Sequence, residues 1–138
     1  MAVRTAEELT LEWNRFSSMI VACRAFRRRC CIYVVANAPG TPLYIGSSEG
    51  RDGLDGRYRG GTASTVDAAL DGSGNQIFVA GGPRGRCEEI EKALIYAEQP
   101  RYNRQGRTVP LSSLSAASLT HSGEAPRFAS ERRVTDTA

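Results

Sequence analysis

A chain of 138 residues with 41% hydrophobic residues and a net charge of +3 supports one domain around one modest core. Of its 18 basic residues only Lys92 is a lysine, and it follows Glu91, so a Gly-Lys-Ser/Thr phosphate loop is excluded. A single histidine, His121, excludes nucleases built on a histidine cluster, histidine-anchored zinc hydrolases and the zinc deaminases. Arginine therefore carries nearly all the positive charge, and its planar fork suits phosphates and base edges. Codon bias in a GC-rich genome explains the same count equally well. The four cysteines, Cys23, Cys30, Cys31 and Cys87, contain no C-x-x-C pair and give no zinc pattern. They read as small core residues in a reducing compartment. Polar residues 5–15 give no signal peptide, and the apolar run 19–23 is too short for a membrane span. The expectation is a cytoplasmic protein with no membrane association.

In chain order, Thr5-Ala6-Glu7-Glu8 is a capping box and predicts a helix running to about Ala25. Leu9, Trp13, Phe16 and Ile20 form its apolar face. Arg24, Arg27, Arg28 and Arg29 crowd its end. Cations there suit the negative end of a helix dipole, and they equally suit a phosphate-contacting patch. Residues 30–36 are β-branched and aromatic and predict a strand. Asn37-Ala38-Pro39-Gly40 is a turn, and residues 41–47 return as the second strand of an antiparallel hairpin. A glycine-rich charged loop covers residues 48–56. Arg57 could open a short helix, which Gly60 and Gly61 weaken. Residues 65–70 predict a helical turn, 71–74 a turn and 76–80 a strand. A helix is predicted over residues 86–99, with Ile90, Ala93, Leu94 and Ala97 buried and Pro100 ending it. Beyond Gly106 the chain becomes rich in Ser, Thr and Ala without periodicity. The expected organisation is an amphipathic helix with a basic end (1–29), a compact α/β domain (30–106) and a disordered tail (107–138).

Two short strands carry Cys31-Ile32-Tyr33 and Tyr44-Ile45-Gly46. Arg57 follows, then Glu91 on a helix that ends at Pro100-Arg101-Tyr102-Asn103. Each residue alone has an ordinary explanation: strand tyrosines are half-buried sheet residues, and helix glutamates and loop arginines are surface charges. The ordered set, over residues 31–103, resembles the GIY-YIG endonuclease superfamily. That resemblance implies a small three-stranded antiparallel sheet flanked by helices, here with an extra N-terminal helix. It also implies a metal-dependent DNA endonuclease using Mg2+ or Mn2+.

The implied roles are residue by residue. Glu91 is the sole protein ligand of the metal. Arg57 clamps a non-bridging phosphate oxygen. Tyr33 acts as general base or positions the water, Tyr44 orients water or phosphate, and Asn103 holds the site's geometry. Gly46 would let substrate approach the backbone. Apart from the resemblance, the charge of Arg28, Arg29, Arg59 and Arg86 makes them the expected contacts to nucleic acid. Cys31 stands where the family usually has its first glycine. Gly61 stands where many members carry a histidine or lysine, and Arg59 could substitute in part. The retained Tyr, Arg and Glu favour the enzyme, and these two departures favour somewhat the rival reading, an inactive nucleic-acid-binding module or adaptor on the same fold. Related nucleases cut repair intermediates, restriction sites, homing sites and branched junctions, and this chain carries no recognisable specificity domain. The expected partner is DNA, with a dimer on DNA as one possible assembly.

Overall fold

The computed structural model describes residues 9–26, 29–49, 63–71, 74–107, 110–111 and 114–129. The first element corrects the expected long N-terminal helix. Leu9–Phe16 is a strand, β1. Leu11 and Trp13 are buried while Thr10, Glu12 and Asn14 are exposed, an alternation of period two. Leu9 and Trp13 are four residues apart, a spacing that fits both a helix turn and alternate strand positions. Leu11, buried between them, decides for the strand. The capping box at residues 5–8 lies outside the described residues. Helix α1 is confined to Met19–Ala25, capped by Ser18, whose hydroxyl accepts from Val21 N at 3.3 Å. It buries Met19, Ala22 and Cys23, whereas Ile20, expected on the apolar face, is 65% exposed.

Strands β2 (Cys31–Ala36) and β3 (Pro42–Ser48) form the expected antiparallel hairpin. Its turn is closed by Asn37, whose side-chain oxygen accepts from Thr41 N at 2.8 Å, and Gly40 supplies the positive φ of 98°. Helix α2 (Ala63–Leu70), strand β4 (Gln76–Gly81) and helix α3 (Cys87–Glu98) follow. The sheet order is β3-β2-β4-β1-β5, where β5 is Leu119–Gly123. The inner trio β3-β2-β4 is the three-stranded antiparallel sheet that the resemblance implies, and β1 extends it antiparallel to β4.

Every residue of β2 is buried because the strand is covered on both faces. On one face Ile32, Val34, Ile45 and Phe78 meet α3 through Cys87, Ile90, Leu94 and Ile95. On the other face Cys31, Tyr33, Val35, Ile77 and Val79 meet α1 and α2 through Ala22, Phe26, Val66 and Ala69. In α3, Ile95 takes the buried place expected of Ala97, which is exposed. Gln99 ends the helix in the left-handed region (φ 55°), and its N–H bonds to Ile95 O before Pro100.

The tail is the second correction. Residues 116–118 make a short 3-10 turn, and β5 pairs in parallel with β1 from Leu9↔Leu119 to Trp13↔Gly123. Trp13 Nε1 donates to His121 Nδ1 at 2.9 Å, and Phe128, 1% exposed, packs on both rings. A five-residue strand of Leu, Thr, His, Ser and Gly has too little alternation to announce itself. The spacing of its pairing partner β1 also fits a helix, so no local pattern points to a fifth strand. Burial lowers the His121 pKa from its ordinary 6.5 to about 4. The folded state therefore prefers the neutral ring, and this contribution to stability is complete above about pH 6.5 and is lost as pH falls towards about 4. Urea unfolding at pH 7 and pH 5 is expected to show this loss in the wild type. In His121→Gln, which has no titrating ring, it is expected to shrink.

Candidate active site on the edge strand β3

The described candidate residues meet on four consecutive residues of β3: Tyr44, Ile45, Gly46 and Ser47. Tyr33 stands opposite Gly46 in the β2–β3 register. A Cβ on Gly46 would collide with the ring carbons and hydroxyl oxygen of Tyr33, so only glycine lets the phenol lie across β3. Its value here is space and not backbone freedom, because its φ is not positive. Tyr44, half-buried, has its ring centroid 6.1 Å from that of Tyr33, tilted by 40°. The two phenols occupy one face of the hairpin, with Tyr33 fully buried.

Alternation puts Ile45 and Ser47 on the opposite face, toward α3. Ser47, 7% exposed, donates its hydroxyl to Glu91 Oε1 at 2.5 Å. Glu91 is itself half-buried on α3. The start of that helix is fixed near the end of β3 by Glu49, whose carboxylate accepts from Cys87 N at 3.0 Å. Its far end returns to the same strand. Asn103, 7% exposed, accepts from Ile45 N and donates to Ile45 O, both at 2.9 Å. Tyr102 N adds a bond to Leu43 O at 2.9 Å. Residues 102–103 thus cover the outer edge of β3, satisfying backbone groups that an edge strand otherwise leaves open.

Ser47 is the residue that reading the sequence missed. The signal was present: if Tyr44 and Gly46 share one face, Ser47 must look to the other, where the helix with Glu91 packs. Cys31, at the first position of the first motif, is fully buried on the Tyr33 face. Burial, and then the neighbouring Cys87, push its thiol up to about 12, so it is a neutral space-filler. Arg86 is half-buried and paired with Glu89 at 3.1 Å. Arg29 is exposed and lies over the Phe26 ring at 4.9 Å. Arg28, Arg57, Arg59 and Gly61 lie outside the described residues.

Gly46-Ser47-Ser48-Glu49-Gly50 also has the G-x-S-x-G spacing of a serine-hydrolase elbow. Ser48 ends β3 at one edge of the sheet, and the chain's one histidine is on β5 at the other. That histidine is bonded to Trp13, so a Ser-His pair is not formed.

Among the described residues no group of three or more His, Cys, Asp or Glu side chains is placed to hold a metal ion. Glu91 alone suits a hard divalent cation that keeps most of its waters: its oxygens are hard donors, and Ser47 tethers one of them. No helix among the described residues is long and apolar enough to cross a membrane.

No protein-family profile matches the chain, and no curated protein does. Among solved structures the chain is similar to the GIY-YIG N-terminal endonuclease domain of UvrC from Thermotoga maritima. A tyrosine-to-phenylalanine mutant of that domain, bound to its catalytic divalent cation, shares 19% identity at a TM-score of 0.48. An asparagine-to-alanine mutant, also cation-bound, shares 20% at 0.47. Each alignment covers 63% of this chain and 96% of that domain. Similarity at this level assigns no chemistry to this chain, whose site stands on its own residues.

Proposed function

We propose that this chain is a divalent-metal-dependent endonuclease that hydrolyses phosphodiester bonds in DNA. The observation that supports it is that Tyr33, Tyr44, Glu91 and Asn103 all bear on residues 44–47 of one edge strand, the phenols on one face, Glu91 through Ser47 on the other and Asn103 along the edge. Two phenols, a tethered carboxylate and a rigid amide clamp suit a reaction that needs an oriented water and a held phosphate. Glu91 would hold the cation, Mg2+ or Mn2+. When bound, it supplies Lewis-acid stabilisation of charge on the phosphate. Tyr33 Oη would take or position the proton of the attacking water. A phenol has an ordinary pKa near 10, so this role depends on positive charge beside it, which Arg57 is proposed to share. Arg57 would clamp a non-bridging oxygen. Tyr44 would orient the phosphate, and Asn103 would keep Tyr44 and Gly46 in place through Ile45 between them.

The test is incubation of the purified chain with supercoiled plasmid, branched DNA and RNA, with Mg2+, with Mn2+ and with EDTA. Nicking or cutting of DNA that EDTA stops is the expected result. Inertness on every substrate with both metals would transfer the site to the inactive binding module.

Ser47 gives a finer prediction. Ligand-orienting partners typically contribute about 10–100-fold to metal affinity. Ser47→Ala is therefore expected to shift the Mn2+ concentration for half-maximal cleavage upward by a factor in that range, and Ser47→Thr to restore it. The measurement is cleavage rate against Mn2+ concentration for the three proteins.

A further inference from the structure

The described arginines divide by their partners. Arg15 pairs with Glu124 at 3.5 Å and Arg86 with Glu89 at 3.1 Å. Arg24, Arg29, Arg84, Arg101, Arg104 and Arg127 are exposed, and none pairs with an acid among the described residues; of these, Arg101 and Arg104 are the ones beside the candidate site. Both flank Asn103, on a segment fixed to the outer edge of β3 by three hydrogen bonds: Tyr102 N to Leu43 O, Ile45 N to Asn103 Oδ1 and Asn103 Nδ2 to Ile45 O. The Arg101 guanidinium also lies 5.4 Å from the centre of the Tyr102 ring, and that ring packs against the same core cluster as Tyr44. Two solvated cations are thus carried on backbone that cannot drift away from Tyr44 and Gly46.

We propose that Arg101 and Arg104 form a phosphate-binding ridge along the outer edge of β3, and that its partner is the sugar-phosphate backbone of duplex DNA on either side of the cut phosphate. The inference rests on the endonuclease reading above and names a surface of that same site. The chemistry is simple. A guanidinium fork offers paired donors to phosphate oxygens, and its fixed base lowers the entropy lost on binding. Because both groups are exposed and unpaired, contact with phosphate breaks no ion pair within the described residues. Residues 28, 29, 59 and 86 were the expected nucleic-acid contacts. Of the two described, Arg86 is tied to Glu89, and Arg29 is exposed but follows α1, on a segment that makes none of the hydrogen bonds to β3 that hold residues 102–103.

The test is binding of the full chain to fluorescently labelled duplex DNA in EDTA, so that cleavage does not intervene, over a series of NaCl concentrations. Each phosphate contact contributes about 0.9 to the slope of log affinity against log salt. Arg101→Ala and Arg104→Ala are each expected to reduce that slope by about 0.9, and the double variant by about 1.8. Arg15→Ala removes the same charge from β1, three strands away, and is expected to leave the slope unchanged. A double variant with the wild-type slope would overturn the ridge and leave the endonuclease untouched. A wild-type chain with no salt-dependent affinity for duplex DNA would overturn both.

Discussion

Glu91→Gln is expected to reduce DNA cleavage by at least about 10³-fold while leaving folding and metal-free DNA binding nearly intact. A metal's charge stabilisation is worth several kcal/mol, and about 1.4 kcal/mol is tenfold in rate. The amide keeps an oxygen that can accept from Ser47 but loses the charge that holds a cation. Glu91 is half-buried, not in the core, so its isostere is expected to change stability by no more than about 1 kcal/mol. Urea unfolding, duplex binding in EDTA and single-turnover cleavage with Mg2+, run on one preparation, check the three parts together. Cleavage at the wild-type rate would remove Glu91 from the reaction.

Loss of the tail is expected to have the second-largest effect, now on the fold. Cutting the chain after Arg107 removes β5, the partner of β1, and uncovers Leu11 and Trp13, which are 0% and 1% exposed in the folded protein. It also strips Trp13 Nε1 of its acceptor and takes away Phe128. Phe128→Ala isolates one part of this, and emptying such a buried aromatic site costs about 3–5 kcal/mol. Against a total stability of roughly 5–15 kcal/mol for a domain, the point variant is expected to be severely destabilised. The truncated chain is expected not to fold cooperatively. Thermal and urea unfolding of the two proteins beside wild type measure this. A truncated chain as stable as the whole would mean that β5 and Phe128 contribute nothing to the core.

The parts of the fold that were legible in sequence have local signatures. The β2–β3 hairpin announces itself through a β-branched run, an Asn-Ala-Pro-Gly turn and a second aromatic run. Helix α3 does so through Ile90 and Leu94 at one-turn spacing and the stop at Pro100. The outer strands lack such signatures. In β1 the spacing of Leu9 and Trp13 serves two periodicities, and the capping box just before it argued for the wrong one. In β5 the strand exists because β1 is there to pair with it, a long-range fact that no local pattern carries. Of the site, Tyr33, Tyr44, Glu91 and Asn103 were visible as an ordered set. What the fold adds is their common support: the Tyr33 ring lying over Gly46, the Asn103 clamp on Ile45 and the Ser47 bond to Glu91. Ser47, Arg101 and Arg104 gain meaning only when the faces and edges of β3 are known.

On the proposed function the edge strand β3 carries a hydrolytic site and not merely a well-packed pair of tyrosines. Tyr33→Phe tests it most directly, because one hydroxyl leaves while the ring that lies over Gly46 stays. The measurement is single-turnover cleavage of end-labelled DNA with Mg2+ at saturating enzyme, wild type beside Tyr33→Phe, with duplex affinity measured in EDTA. If the hydroxyl handles the water, the rate falls by about 10²-fold or more, in the range of general acid-base contributions, and affinity hardly moves. Equal cleavage rates for the two proteins would make Tyr33 a packing residue and remove its hydroxyl from the reaction.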